Sequence, residues 1–232
     1  MKKIAGIIGG MGPQATIDLF QKVVSNTEAS CDNEHIHILI DNNTDIPDRT
    51  KSILNHSDLP LKYLSQSAKN LEKSGASFLA MPCNTAHYFY NRLQKEVNIP
   101  IINMIEETAK YLKERNEKTF LLLATTGTIK TEIYQNIFNK YNLTIIKPKQ
   151  EFQDEIMSAI YDYVKEGKPY DKVNKFKEYL NQELVNNIDN IILGCTELPI
   201  LFENNKLEYK TVDPTLVLAK QIIINAGYNI KN

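Results

Sequence analysis

Along this chain, short apolar runs bounded by glycine and cap residues alternate with longer amphipathic stretches. That alternation is the pattern of βαβ units, in which parallel strands are joined by helical crossovers. The expected strands are Ile4–Ile8, His35–Ile40, Phe78–Met81, Ile101–Ile102, Thr119–Ala124, Thr144–Ile146, Asn190–Leu193 and Thr211–Val212. Helical periodicity predicts Pro13–Thr27, Leu59–Lys73, Thr85–Glu96, Ile105–Asn116, Thr131–Tyr141, Glu151–Glu166, Asp171–Asn186 and Thr215–Ala226. The class is therefore α/β with a doubly wound, mostly parallel sheet.

Four expected strands run straight into a turn or cap cluster. These are Gly9-Gly10-Met11-Gly12-Pro13, Pro82-Cys83-Asn84-Thr85, Thr125-Thr126-Gly127-Thr128 and Gly194-Cys195-Thr196-Glu197. Ligands bind outside the carboxyl ends of strands in open α/β sheets, so these segments should line a site. They also repeat. The two glycine- and threonine-rich strand ends are offset by 118 positions, and the two cysteine turns by 112. A near-constant offset implies two similar halves, each contributing one cysteine. The halves are expected at residues 1–102, completed by 211–232, and at 103–210.

Composition narrows the chemistry. A net charge of -1 argues against a nucleic-acid partner held by phosphate neutralisation. No apolar run is long enough to span a membrane, and no signal-peptide cleavage pattern follows the first residues, so a cytoplasmic protein is expected. Cys83 and Cys195 belong to no C-x-x-C pair and have no histidine cluster beside them, which argues against a metal site. Each cysteine instead precedes an amphipathic stretch, where a helix N-terminus would favour a thiolate. Taken alone, either could be a small buried hydrophobe; two in matching turns point to function.

Two thiols without a metal suit one reaction well. A base removes the Cα proton of an amino acid from one face, and an acid returns a proton to the other. Helix N-termini and hydroxyl or amide side chains would stabilise the negative charge that develops on the carboxylate side.

At these residues the chain resembles the aspartate racemase branch of the aspartate/glutamate racemase family. The matching motifs are G-I-I-G-G-M-G-P (6–13), I-P-D-R-T (46–50), M-P-C-N-T-A-H (81–87), L-A-T-T-G-T (123–128) and G-C-T-E-L (194–198), spread over almost the whole chain. The resemblance implies two flavodoxin-like domains related by pseudo-two-fold symmetry, with the active site between them. It also implies catalysis without pyridoxal phosphate, a small amino-acid substrate and a homodimer. Carried over by position, Cys83 and Cys195 are the acid/base thiols. Arg49 is the fork for a substrate carboxylate, flanked by Asp48 and Thr50. Asn84, Thr85 and Ala86 match the loop that holds the α-carboxylate, and Met11 matches the glycine-rich turn. Lys165, in V-K-E-G, matches a substrate-reaching lysine. Thr126, Thr128, Thr196 and Glu197 are second-rank candidates.

Glu197 could complete a helix cap, or orient Cys195 or the substrate ammonium. The related glutamate racemases typically carry histidine there, and an N-terminal D-S-G; this chain has neither. His87, one helical turn beyond Cys83, is either a packed helix residue or a modulator of the thiol. Cys31 reads as incidental. The Gly9-Gly10-x-Gly12 turn lacks the dinucleotide-binding spacing. Three other readings remain: a cysteine-dependent decarboxylase or isomerase of small diacids, a non-catalytic small-acid-binding module, and a thiol-redox protein.

Overall fold

The computed structural model describes residues 2–185 and 187–231. Met1, Asn232 and Asn186, the expected end of one helix, lie outside the described residues. The chain divides into two compact units. One runs through Glu107 and resumes at Thr215; the other is Thr108–Pro214.

In the first unit the elements are β1 (Ala5–Gly9), α1 (Pro13–Asn26), β2 (Ile38–Asn42), α2 (Arg49–Leu54), α3 (Leu59–Lys73), β3 (Phe78–Ala80), a 3-10 turn at Thr85–Phe89, α4 (Tyr90–Leu93) and α5 (Met104–Lys113). The chain passes into the second unit within α5. There follow β4 (Thr119–Ala124), α6 (Thr126–Thr131), α7 (Ile133–Phe138), β5 (Thr144–Ile146), α8 (Gln150–Ser158), a π-helical segment at Ala159–Val164, α9 (Val173–Leu184), β6 (Asn190–Gly194), α10 (Glu197–Asn204) and β7 (Thr211–Val212). The last helix, α11 (Pro214–Asn225), belongs to the first unit.

Both sheets are parallel. The first has the order β2-β1-β3, with Ala5 opposite both Ile38 and Phe78. The second has the order β5-β4-β6-β7, with Phe120 opposite both Ile145 and Asn190. Within each sheet the first strand has its second on one side and its third on the other. The repeat seen in the sequence is thus a repeat of topology, β1-β2-β3 against β4-β5-β6. It even extends to a fourth position, because Ile101 makes an isolated parallel bridge to Leu79 where β7 pairs with β6.

Alternation along each strand feeds two buried layers. In β1, Ala5 and Ile7 pack with Leu19 and Val23 of α1 and with Leu218, Ile222 and Ile223 of α11. Ile8 faces the opposite way, into a cluster with Leu64, Leu71, Leu79 and Phe89. Burying each such aliphatic chain contributes roughly 1.5–3 kcal/mol. The second unit repeats this with Leu121, Leu123, Ile191 and Leu193 against Phe152, Ile156 and Phe176. On its other face Phe120 meets Phe138 edge-on, ring centroids 6.0 Å apart.

Several boundaries differ from expectation. Arg49–Leu54 is helical because Asp48 caps it, its carboxylate accepting from the Lys51 N–H at 2.7 Å. The expected helix Thr85–Glu96 is a chain of short 3-10 and α turns. Thr131–Tyr141 is interrupted at Glu132, whose φ of 53° separates α6 from α7. Ile101–Ile102 forms a bridge rather than a strand. Thr211–Val212, expected to return to the first half, pairs with β6 and stays in the second unit; of that segment only α11 joins the first.

Gly10 shows what the first turn demands. Its φ is +89°, and a Cβ there would lie 2.2 Å from the Asn43 carbonyl oxygen. Gly10→Ala should therefore lower stability by about 2–4 kcal/mol, the combined cost of a positive φ and a backbone clash. A urea midpoint within error of wild type would contradict this.

Candidate functional site

The strand order directs attention to particular strand ends. When β2 and β3 lie on opposite sides of β1, the crossovers leave in opposite directions, and a crevice opens at the carboxyl ends of β1 and β3. The Met11 turn follows β1 and the Cys83 turn follows β3. By the same rule the Thr125–Thr128 turn follows β4 and the Cys195 turn follows β6. These last two are neighbours by register, since Ala124 lies opposite Gly194.

Cys83 is set by a sharp reversal. Pro82 cannot donate to the sheet, and its fixed φ suits an inverse γ-turn. The turn is closed by the Cys83 N–H donating to the Met81 carbonyl at 2.8 Å. Behind Cys83 the chain enters the 3-10 turn, where Asn84, Thr85, Ala86 and His87 are all buried. The expected long helix is absent, so the macrodipole behind this thiol is that of one irregular turn.

Met11, Cys83 and Ala86 share one buried cluster with Ile46 and Ile53. Arg49 ties the loops around it. Its guanidinium donates through Nη1 to the carbonyls of Ile46 and Pro47, both at 3.1 Å, and through Nη2 to that of Met11 at 3.2 Å. Arg49 and Thr50 are buried, and Asp48 sits half-buried at the helix cap. The fork expected to hold a carboxylate thus also braces the I-P-D-R-T loop against the glycine-rich turn.

Cys195 has a different environment. Gly194 leaves no room for a side chain, because a Cβ would lie 2.6 Å from Leu122 Cδ1. The buried Cys195 thiol donates to Glu197 Oε2 at 2.9 Å, and Thr196 Oγ1 donates to the same oxygen at 3.1 Å. Lys165 Nζ stands 3.9 Å from Glu197 Oε1 and 4.3 Å from the centroid of the Tyr161 ring. Burial and the Glu197 carboxylate push the Cys195 thiol well above its ordinary value, while Lys165 and the Glu197 backbone N–H oppose them. The thiolate-favouring setting expected at this turn is reversed: Cys195 holds its proton. Of the two roles open to Glu197, the carboxylate faces the thiol.

Lys165 reaches Glu197 through an irregular turn. The expected helix Glu151–Glu166 is α-helical only to Ser158 and then widens into the π segment, where the Lys165 N–H bonds the Ile160 carbonyl five residues back. The segment packs against α10, which carries Glu197.

Thr128 is buried and Thr126 partly so. The residue that holds this turn is Thr125, the α6 N-cap, whose Oγ1 accepts from the Thr128 N–H at 3.4 Å. Gln153 Nε2 donates to the Ala124 carbonyl at 2.9 Å and to Thr126 Oγ1 at 3.4 Å. Both residues left traces in the sequence. Thr125 has cap spacing to Thr128, and Gln153 is polar on the apolar arc of Ile156 and Ile160. Cys31 is exposed. Among the described residues, no group of three or more His, Cys, Asp or Glu could hold a metal ion, and no helix is long and apolar enough to cross a membrane.

A parallel α/β repeat with a buried thiol at the end of the third strand of each half is an architecture suited to acid/base isomerase chemistry. The profile of the family described as Asp/Glu/Hydantoin racemase matches residues 8–222. Picrophilus torridus aspartate racemase is 32% identical, with a TM-score of 0.81 covering 99% of this chain and 96% of that one. An aspartate racemase homologue from Pyrococcus horikoshii OT3 is 26% identical, with a TM-score of 0.77 covering 97% and 99%. The broad specificity amino-acid racemase RacX of Bacillus subtilis (strain 168) is 28% identical over 222 residues, covering 94% of this chain and 96% of RacX. The chain belongs to the Asp/Glu/Hydantoin racemase family and is an amino-acid racemase.

Two predictions come from the local electrostatics. Burial pushes the His87 imidazole down to about 4 from 6.5, against the opposing pull of the Cys83 and Ile102 carbonyls. Between those values the unfolded chain binds the extra proton and the folded one does not, so stability rises with pH across the window. The contribution of neutral His87 is complete above pH 6.5 and is lost as pH falls towards 4, about 3 kcal/mol in all. The stability advantage of wild type over His87→Gln should shrink by about 2–3 kcal/mol between about pH 7 and about pH 4.5; an unchanged gap would contradict the shift. Second, Glu197→Gln removes the anion beside Cys195, so alkylation of Cys195 by iodoacetamide at about pH 8 should accelerate roughly threefold per unit of lowered pKa, the gain in thiolate being partly offset by its lower nucleophilicity. An equal or slower rate would show that the carboxylate does not hold the proton on sulfur.

Proposed function

We propose that the protein interconverts L- and D-aspartate by a two-base transfer at Cα, with Cys83 and Cys195 as the two acid/base groups. The observation that carries this reading is the equivalence of the two thiols: each ends the third strand of one topological repeat. In one direction a thiolate takes the Cα proton and the electron pair passes into the carboxylate, giving an enediolate-like carbanion. The other thiol then delivers its proton to the opposite face. The reverse direction exchanges the roles, and no electrons are gained or lost.

The two thiols enter turnover unequally. The Cys195 thiol donates to Glu197, which suits it to start as the acid, leaving the base role to Cys83. Arg49 is the proposed partner of the substrate side-chain carboxylate, with Asp48 and Thr50 shaping its loop. Asn84, Thr85 and Ala86, with Thr126 and Thr128, are proposed around the α-carboxylate, where N–H and O–H donors would oppose the developing charge. Lys165 completes the carboxylate contacts, and the Glu197 carboxylate, whose Oε2 also accepts from Thr196, keeps the proton on Cys195. Aspartate is preferred over glutamate in this reading because the relatives that span nearly the full length include an aspartate racemase. Glutamate remains the second substrate to try, since the glutamate racemase of Aquifex pyrophilus is 28% identical over 147 residues, 62% of this chain and 55% of that protein.

The test is deuterium incorporation at Cα in D2O, followed by NMR for both enantiomers of aspartate and glutamate without added cofactor. Exchange with inversion should appear for aspartate and fall at least about a hundredfold in Cys83→Ser and in Cys195→Ser, as expected when an acid/base group is lost. Inversion that survives either substitution would sink the two-thiol mechanism, and inversion of glutamate alone would reassign the substrate.

A further inference from the structure

His87 has no part in the proton transfer just proposed, yet it makes two buried hydrogen bonds of opposite sense. Its Nδ1 is 2.8 Å from the Cys83 carbonyl oxygen, and its Nε2 is 3.1 Å from the Met104 backbone nitrogen. A carbonyl oxygen only accepts and a backbone N–H only donates. Both bonds are met together when the ring carries its proton on Nδ1 and its lone pair on Nε2. The Ile102 carbonyl also faces the ring. Burial agrees with the neutral form.

The ring is held in orientation as well. It stacks on Tyr90 with planes 4° apart and centroids 6.2 Å apart, and the Tyr90 hydroxyl donates to the Ile101 carbonyl at 3.1 Å. Met104 is the first residue of α5, whose leading N–H groups need partners from outside the helix. Asn103 Oδ1 accepts from the N–H groups of Ile105 and Glu106, both at 3.2 Å, and His87 accepts from Met104.

The consequence falls on Cys83. Its N–H is bound to the Met81 carbonyl and its own carbonyl to His87, so both peptide planes beside its Cα are held. What remains is rotation of the thiol about its side-chain bond. We propose that His87 is a positioning residue for Cys83, its Nδ1–H fixing the Cys83 carbonyl and its Nε2 anchoring the ring to the start of α5, so that the Cα–Cβ bond carrying the thiol has a fixed place and direction. The inference rests on the reading of Cys83 as an acid/base thiol and assigns His87 no proton transfer to substrate.

Two substitutions separate the bonds. In His87→Asn the amide nitrogen can occupy the position of Nδ1 and keep the bond to Cys83 while giving up Met104. In His87→Gln the amide oxygen can occupy the position of Nε2 and keep Met104 while giving up Cys83. Each leaves one buried partner unmet, so both should lower the urea midpoint to a similar degree. A purely structural role would make their activities fall together. Instead, kcat for Cα exchange should stay within about threefold of wild type in His87→Asn and fall at least about tenfold in His87→Gln, with KM changed less than about twofold in either. Iodoacetamide labelling of Cys83, followed in a Cys31→Ser, Cys195→Ser background, should match the parent rate in His87→Asn and depart from it in His87→Gln. Equal loss in both variants, or greater loss in His87→Asn, would overturn the inference and leave His87 as a cap of α5. If wild type exchanges no amino acid, the racemase reading falls and the labelling comparison alone decides the positioning role.

Discussion

In each unit the pairing of the first strand with both its neighbours, in parallel, determines where the helices run and where a site can form. A parallel neighbour requires a crossover, and neighbours on opposite sides require crossovers that leave in opposite directions. The carboxyl ends of β1 and β3, and of β4 and β6, are therefore the points where the covering helices part. Residues there are freed from sheet pairing but still anchored by buried strands. Ala5, Ile7 and Ile8 are fully buried, as are Phe120 to Ala124, so a side chain one or two residues beyond a buried strand inherits a fixed origin. Both cysteines occupy such positions.

Equivalent positions have not produced equivalent chemistry. Cys195 shares a carboxylate oxygen with Thr196 and retains its proton, while a lysine stands across the carboxylate. Cys83 meets no carboxylate among its described hydrogen-bond partners; its backbone is clamped by a neutral imidazole instead. The topological repeat thus carries two differently prepared thiols. In the proposed two-thiol transfer one group must hold the proton that the other lacks, and the Glu197 carboxylate bears on that balance from the Cys195 side.

Much of this architecture was legible in the sequence, because it depends on local pattern. Strand cores are marked by apolar runs, α1 and α3 by amphipathic periodicity, and the candidate site by strand ends that break into Gly, Pro, Cys and Thr. What escaped depended on partners distant in the chain. No periodicity reveals that Arg49 would reach the Met11 carbonyl across 38 positions, or His87 the Met104 N–H across 17. Thr211–Val212 is a strand as expected, but it joins the second sheet rather than the first half for the same reason: a two-residue strand carries too little pattern to name its neighbour, and pairing with Ile191 and Ile192 decides it. Glu197 was open between two roles because cap and thiol partner require the same residue at the same spacing.

The two helices that depart most from expectation share a physical cause. Thr85–Glu96 and Glu151–Glu166 both read as regular because their apolar spacing is right, yet one breaks into 3-10 turns and the other widens to π geometry. Both departures sit beside a residue of the candidate site. A tightened turn after Cys83 brings the His87 N–H to the Asn84 carbonyl at 3.0 Å and sets the ring beneath the Cys83 carbonyl. A widened turn before Lys165 inserts about one residue into the helical register and directs its ammonium towards Glu197. That irregularity persists in both segments, against an otherwise well-formed helical pattern, is what the aiming of these two side chains would require.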